Sequence, residues 1–202
     1  MKEQYKQQIK KIFEDNGGYA RTQDIIEAGI HTSYLYQLVE ENVITKLKRG
    51  LYHWDDGEFT VEEELVQVSK IAPNSVFCLI SALSYYEMTT QSPWEHYVAI
   101  HQNARRPVVP DYPPIRFFYF SDKQFETGIK EIEINENIIK MYDLEKALCD
   151  CLRLRNRIGM EVAKEALQEY VKRSDRDITK LLDYAEITGI SILMEKYLEI
   201  LI

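Results

Sequence analysis

The sequence has few of the features that membrane proteins, secreted proteins or zinc proteins need. No run of about 18 apolar residues occurs, which excludes a transmembrane helix. The three cysteines, Cys78, Cys149 and Cys151, are an odd number and have no zinc-ligand spacing. Residues 1–18 are charged and amphipathic, without the apolar segment of a signal peptide. We therefore expect a cytoplasmic protein whose cysteines are packing residues.

Motifs of catalysis and cofactor binding are also absent. The sequence contains no G-x-S-x-G, P-loop, G-x-G-x-x-G or His-Glu-x-x-His motif. Asp143, Glu145 and Asp150 are candidate metal ligands, but Asp143 is better explained as a helix cap. Asp150 has Lys146 at i−4 and Arg153 at i+3, as in an ordinary surface ion-pair row. We expect no enzymatic activity, no cofactor and no metal site.

The segment Tyr19–Trp54 predicts a winged helix-turn-helix. A helix is expected from about Thr22, its cap, to Ala28, and Gly29 supplies the tight turn that follows. A second helix is expected over Thr32–Glu41. The sequence ITKLKRGLYHW then indicates a two-stranded hairpin with a basic tip.

The second helix is the predicted DNA-reading element. Leu35, Leu38 and Val39 are spaced i, i+3 and i+4, which gives an apolar stripe to be buried. The remaining side chains of its first turns can hydrogen-bond to bases or phosphates. We expect groove contacts from Ser33, Tyr34, Tyr36 and Gln37, and phosphate contacts from Lys46, Lys48 and Arg49. The same geometry also occurs in structural and protein-binding domains.

The charge is unevenly distributed along the chain. The net charge is −8, yet residues 1–54 carry eight Lys or Arg and seven Asp or Glu, a balance of +1. The remaining residues carry −9. The acidic part is therefore expected to lie away from a DNA duplex, and non-specific affinity is expected to be modest and strongly salt-dependent.

The turn-prone sequence Asp55–Asp56–Gly57 predicts the boundary between two domains, residues 1–56 and 57–202. We expect an α+β fold, with a mixed α/β second domain that is helical from about residue 143. Its other predicted elements are helices Val61–Ala72 and Val76–Met88 and strands Tyr97–Ile100, Ile115–Phe120 and Lys130–Ile134. A proline-rich loop carries Arg105 and Arg106, either as a solvated tip or as contacts to an acidic partner.

A second candidate surface lies on the helix that begins after Asp143. Lys146, Arg153 and Arg157 follow a helical spacing opposite the apolar stripe, with Arg155 close by. This basic row either extends the DNA footprint or contacts RNA or another acidic partner.

Several segments together resemble the AbiEi-type antitoxin family. They are GGYARTQDIIEAGI and LVEENVITKLKRGLYHW in the first part, then SVFCLISALSYYEMT and KMYDLEKALCDCLRLRNRIGMEVAKEAL, within residues 19–170. The resemblance implies the antitoxin of a type IV toxin–antitoxin system, connected with abortive phage infection. Such a protein represses its own operon at inverted repeats. It opposes a nucleotidyltransferase-like toxin without a stable direct complex.

Two other functions remain open. The chain could be a winged-helix regulator whose second domain binds a ligand or a protein, with no toxin partner. An enzyme is the third possibility and would need a polar pocket around Tyr85, Tyr86, Trp94 and Arg105. A neighbouring gene for a nucleotidyltransferase would favour the antitoxin over the first of these.

Overall fold

The computed structural model describes residues 3–55, 57 and 60–201, and they form two compact units. The first unit contains the described residues up to Pro73 together with 108–111 and 133–139. The second contains residues 74–107, 112–132 and 140–201. The predicted α+β fold, with an N-terminal winged helix-turn-helix and a helical C-terminal part, is confirmed.

The first unit is a helical core covered by a small sheet. Its elements are α1 (Glu3–Asp15), β1 (Tyr19–Arg21), α2 (Thr22–Glu27), α3 (Ser33–Glu40), β2 (Ile44–Lys48), β3 (Leu51–Trp54) and α4 (Val61–Ile71). The antiparallel sheet has the order β1-β3-β2. The hairpin β2–β3 is the predicted wing. The third strand, β1, is a difference from the sequence prediction, since three residues are too few to show a strand periodicity.

The second unit is built on a five-stranded sheet and a set of helices. The elements that lie wholly or partly in it are β4 (Val76–Phe77), α5 (Leu79–Tyr85), β5 (His96–His101), β6 (Ile115–Phe120), α6 (Asp122–Glu126), β7 (Ile129–Ile134), β8 (Asn137–Tyr142), α7 (Leu144–Arg153), α8 (Arg155–Ile158), α9 (Met160–Lys172), α10 (Ile178–Thr188) and α11 (Ser191–Leu201). The strand order is β6-β5-β4-β8-β7, with β5 parallel to β6 and β4 parallel to β8.

Two local predictions were wrong. The helix expected over Val76–Met88 begins only at Leu79, because Val76 and Phe77 pair with β5 as a strand. The predicted cap of α2, Thr22, is its first helical residue, and Arg21 is the cap position. There the Asp24 carboxylate accepts the backbone N–H of Arg21 at 2.6 Å.

The helix that begins after Asp143 is too short to carry the whole predicted basic row. Asp143 caps α7 as predicted, because its carboxylate accepts the backbone N–H of Lys146 at 3.0 Å. The helix ends at Arg153, and Arg157 lies on α8 beyond Leu154. The domain boundary at Asp55–Asp56–Gly57 stays a prediction, and Asp56 lies outside the described residues.

Candidate nucleic-acid interface

Helix α3 is held by its apolar stripe. Leu35 and Leu38 are buried in the core of the first unit, and Val39 packs partly against it. The same core contains residues from α1, α2 and the sheet: Ile9, Phe13, Ala20, Ile25, Ile44 and Tyr52. Gly29, with φ of +71°, makes the turn that lets α3 cross α2, in the left-handed region that glycine adopts without strain.

The opposite face of α3 is open to solvent. Ser33, Tyr36 and Gln37 are exposed, and Tyr36 has 59% of its surface accessible. Tyr34 differs, because its ring stacks on Tyr5 with centroids 5.1 Å apart and packs against the core. Three of the four predicted groove residues therefore share an exposed face, while Tyr34 mainly contributes packing.

The start of α3 uses a residue that the sequence prediction did not include. Thr32 occupies the cap position, but its side chain accepts no hydrogen bond from the helix. Instead His31 Nδ1 accepts the Ser33 backbone N–H at 3.2 Å and lies 2.8 Å from the Ser33 hydroxyl oxygen. His31 thus orients Ser33 at the end of α3 that carries the exposed hydrogen-bonding groups.

The wing presents two exposed cations, one within strand β2 and one at the tip of the hairpin. Lys46 and Arg49 are exposed, and Gly50 closes the tip with φ of +77°. Lys48 is half-buried and its Nζ donates to the Ile71 carbonyl, 2.6 Å away, at the end of α4. One of the three predicted phosphate contacts therefore also ties the wing to α4.

Helix α4 covers the face of the small sheet that the helical core does not. Thr60 caps it by accepting the Glu63 N–H at 3.1 Å. His53 on β3 lies 2.9 Å from the Glu63 carboxylate, and both side chains are largely buried. These contacts hold the wing hairpin between two helical layers, which gives the exposed residues of the wing a fixed position.

The predicted basic row begins with a buried residue, Lys146, so its expected placement on the surface was wrong. Lys146 and Asp150 are both 0% exposed and form an ion pair with each other. Arg153 donates to the other Asp150 oxygen at 3.0 Å and is only 20% exposed. Phe120 and Tyr142 cover this group, with their ring centroids 4.8 and 4.3 Å from the Lys146 nitrogen.

The other basic residues of this region lie partly in solvent. Arg155 donates to the Leu152 carbonyl at 3.0 Å and is half-buried, while Arg157 is exposed. In the proline-rich loop, Arg105 is exposed and Arg106 lies over the Phe117 ring. The functional roles of these cations stay predictions.

A second polar cluster joins α7 to α10. Lys180 donates to Asp143 at 2.9 Å and to Glu145 at 3.0 Å, and the Tyr184 hydroxyl donates to Asp143 at 3.1 Å. Burial lowers the pKa of Lys180, but its hydrogen bonds and the two carboxylate charges outweigh burial and raise it. Burial, and then the Asp143 charge, raise the pKa of Tyr184 to about 12. The cluster is internally paired.

Nothing in the geometry points to a metal centre or a reactive thiol. Among residues 3–55, 57 and 60–201, no three His, Cys, Asp or Glu side chains are grouped so that they could hold a metal ion. All three cysteines are buried, and burial raises the pKa of each thiol. Over the same residues, no helix has both the length and the apolar composition of a membrane span.

The fold and the exposed face of α3 define a winged helix-turn-helix protein. Residues 7–52 match the family model described as "Transcriptional regulator, AbiEi antitoxin", which confirms the resemblance over α1–α3 and most of the wing. The matched family is a regulatory one. None of the curated proteins matches the sequence.

A solved structure has a similar fold over most of the chain. The crystal structure of the RV2827C protein from Mycobacterium tuberculosis superimposes with a TM-score of 0.54 and 12% sequence identity. The alignment covers 95% of this chain and 79% of that one. At this identity the likeness concerns the fold alone.

Proposed function

We propose that this protein is an antitoxin that represses its own operon by binding DNA. Its N-terminal unit would read inverted repeats upstream of its gene, with two protomers on two half-sites. Its second unit would serve to neutralise a nucleotidyltransferase-like toxin, without a stable complex between the two proteins. Both activities would take place in the cytoplasm.

The observation that carries the proposal is the exposed polar face of α3. Ser33, Tyr36 and Gln37 have no role in the core, so the polar groups of Tyr36 and Gln37 are available to base edges. The Ser33 hydroxyl, oriented by His31, keeps lone pairs as an acceptor. A helix placed in the major groove reads sequence through such side chains. The family match over residues 7–52 supports the same function for this unit.

The wing would supply contacts that do not depend on sequence. Lys46 and Arg49 are exposed at one hairpin, and cations there neutralise phosphates and release counterions. The uneven charge of the chain supports a complex in which the wing contacts the DNA. The nearly neutral residues 1–54 hold these cations, and the remaining residues carry the acidic excess.

A salt-titrated mobility-shift assay tests the proposal. We expect the wild-type protein to retard the duplex upstream of its own gene more tightly than a shuffled duplex, with affinity that falls steeply as salt rises. Lys46→Ala with Arg49→Ala should weaken both duplexes equally and reduce the slope of log K against log salt by about 1.8, or about 0.9 per phosphate contact.

The matched control removes two exposed lysines of the second unit, Lys123→Ala with Lys140→Ala. It changes the net charge equally and should leave the slope unchanged. Equal retardation of both duplexes by the wild type would argue against a sequence-reading α3. An unchanged slope in the wing variant would remove the wing from the interface.

A further inference from the structure

Three cations of the first unit lie close together beside the wing. Arg21 on β1 and Lys48 on β2 are both paired with Leu51 of the central strand β3. Side chains of residues directly opposite each other in a sheet point to the same face. Arg21 and Lys48 therefore flank Leu51 on one face of the sheet.

Helix α4 adds the third cation to the same face. Lys48 Nζ donates to the carbonyl of Ile71, the residue after Lys70. Lys70 Nζ lies 5.3 Å from the centroid of the Tyr19 ring. Tyr19 is two residues before Arg21 on β1, so its side chain and that of Arg21 share a face.

Within the part of the chain that the structure describes, none of these three side chains forms an ion pair with a carboxylate. Burial, and then the charge of Arg21, lower the pKa of both Lys48 and Lys70, and no acidic group contributes to either shift. One carboxylate, that of Asp24, lies beside the cluster, and its Oδ2 accepts the backbone N–H of Arg21 as a helix cap. The cluster therefore holds a surplus of positive charge.

A cleft opens beside two of the three cations, Arg21 and Lys70. Its volume is about 80 Å³, and it is lined by Asn16, Tyr19, Ala20, Arg21, Asp24, Leu51 and Lys70. That space exceeds the ~30 Å³ that one water molecule occupies in the liquid. The amide of Asn16 can also donate a hydrogen bond there. A small oxyanion suits this charge and size better than an apolar group does.

We propose that Arg21, Lys48 and Lys70 form a second phosphate-binding site, which extends the nucleic-acid interface from the wing to α4. The inference rests on the proposed function and adds to it a contact outside the helix-turn-helix and wing. An ammonium group has three N–H donors, so Lys48 keeps two for a phosphate while it holds Ile71.

The test is the double substitution Arg21→Gln with Lys70→Gln in the full chain, assayed on the upstream and shuffled duplexes over a series of salt concentrations. Lys48 stays in place because it also ties the wing to α4. We expect the slope of log K against log salt to fall in magnitude by about 1.8, which is about 0.9 for each of the two lost phosphate contacts. The ratio of affinities for the two duplexes should not change, because phosphate contacts carry no base information.

Two further variants separate charge from folding. Arg21→Lys with Lys70→Arg keeps both charges and should keep the wild-type slope. Arg21→Gln alone changes an exposed side chain, and it should lower the slope by about 0.9 even if the double variant does not fold.

The outcomes distinguish the two proposals. Lys123→Gln with Lys140→Gln is the control, and we expect it to keep the wild-type slope. If the wild type binds DNA and both Arg21→Gln variants also keep its slope, the second site is overturned and the wing interface still stands. Failure of the wild type to bind either duplex overturns both. A smaller slope in the control as well would show a general charge effect and would also overturn the second site.

Discussion

Helices α3 and α7 each have a polar row opposite an apolar stripe, and the two rows have opposite environments. On α3, Ser33 and Gln37 face solvent and are available to a partner. On α7, Lys146 and Asp150 are fully buried and paired with each other. A periodic polar row therefore marks a binding surface only where no second layer covers it.

The cover on α7 comes from two strands, β6, which is distant in the sequence, and β8, which directly precedes the helix. Phe120 of β6 and Tyr142 of β8 lie against the Lys146 ammonium, and Phe120 also lies against the Arg153 guanidinium. Ion pairing and these ring faces compensate the charges for lost hydration. On α3 the exposed row has no such layer, because the core lies on the other side of the helix.

The largest effect is predicted for the buried polar row of α7. Asp150→Ala leaves Lys146 without its counter-charge in the interior, which should cost about 3–5 kcal/mol of unfolding free energy. Chemical denaturation of the full chain measures the change. Asp183→Ala, at an exposed position of α10, is the matched control and should stay within about 0.5 kcal/mol.

A rescue variant sharpens the same prediction. Lys146→Met with Asp150→Leu replaces the buried pair by apolar side chains and should recover part of the loss, the remainder being due to Arg153, which still lacks its carboxylate partner. A mild effect of Asp150→Ala, equal to that of the Asp183 control, would mean that the ion pair is not needed to keep this face of α7 buried.

A smaller effect is expected at the cluster that joins α7 to α10. Lys180→Met removes the ammonium that bridges Asp143 and Glu145 and should cost about 1–2 kcal/mol, since Lys180 is 32% exposed and partly screened. Lys172→Met, at an exposed ion pair on α9, should have little effect.

The loss caused by Lys180→Met should also depend on pH. The pKa of Lys180 is raised in the folded state, so its contribution is complete below the unfolded pKa of about 10.4. The contribution declines as pH rises through the folded value. Wild type and variant should therefore differ equally at pH 7 and 9 and less at pH 11, and a gap that widens with pH would contradict the assignment.

The smallest effect on stability is expected on α3, whose polar row is exposed. Gln37→Ala on α3 should change the unfolding free energy by less than about 0.5 kcal/mol, because no described contact depends on the side chain. It should nevertheless relax the preference for the upstream duplex over the shuffled one. A large loss of stability would show that Gln37 belongs to the structure and not to the reading face.

Long elements with clear periodicity were predictable from the sequence. The spacing of Leu35 and Leu38 predicted the buried face of α3, and β6 has the predicted bounds Ile115–Phe120. Short elements were not. The strands β1 and β4 have three and two residues, so they are defined by their pairing partners and carry no pattern of their own.

The candidate site likewise has features that the sequence predicted and features that it did not. Residue types and spacing were enough to place Ser33, Tyr36, Gln37, Lys46 and Arg49 on one helix and one hairpin. They were not enough to show that Tyr34 stacks on Tyr5 or that Lys48 binds the Ile71 carbonyl. Arg21 and Lys70 were missed, because their proximity depends on β1 pairing with β3 and on α4 packing over the sheet.

The sequence by itself determined the helix-turn-helix, the wing and the apolar stripes, because these depend on residues within a few turns of each other. Only the tertiary structure decided which polar side chains are free. Burial depends on what packs over a helix, and the spacing of residues within the helix carries no information about that layer. The ion-pair row on α7 has the spacing of a surface row and yet lies in the interior. The three cations beside the wing meet only in the folded unit.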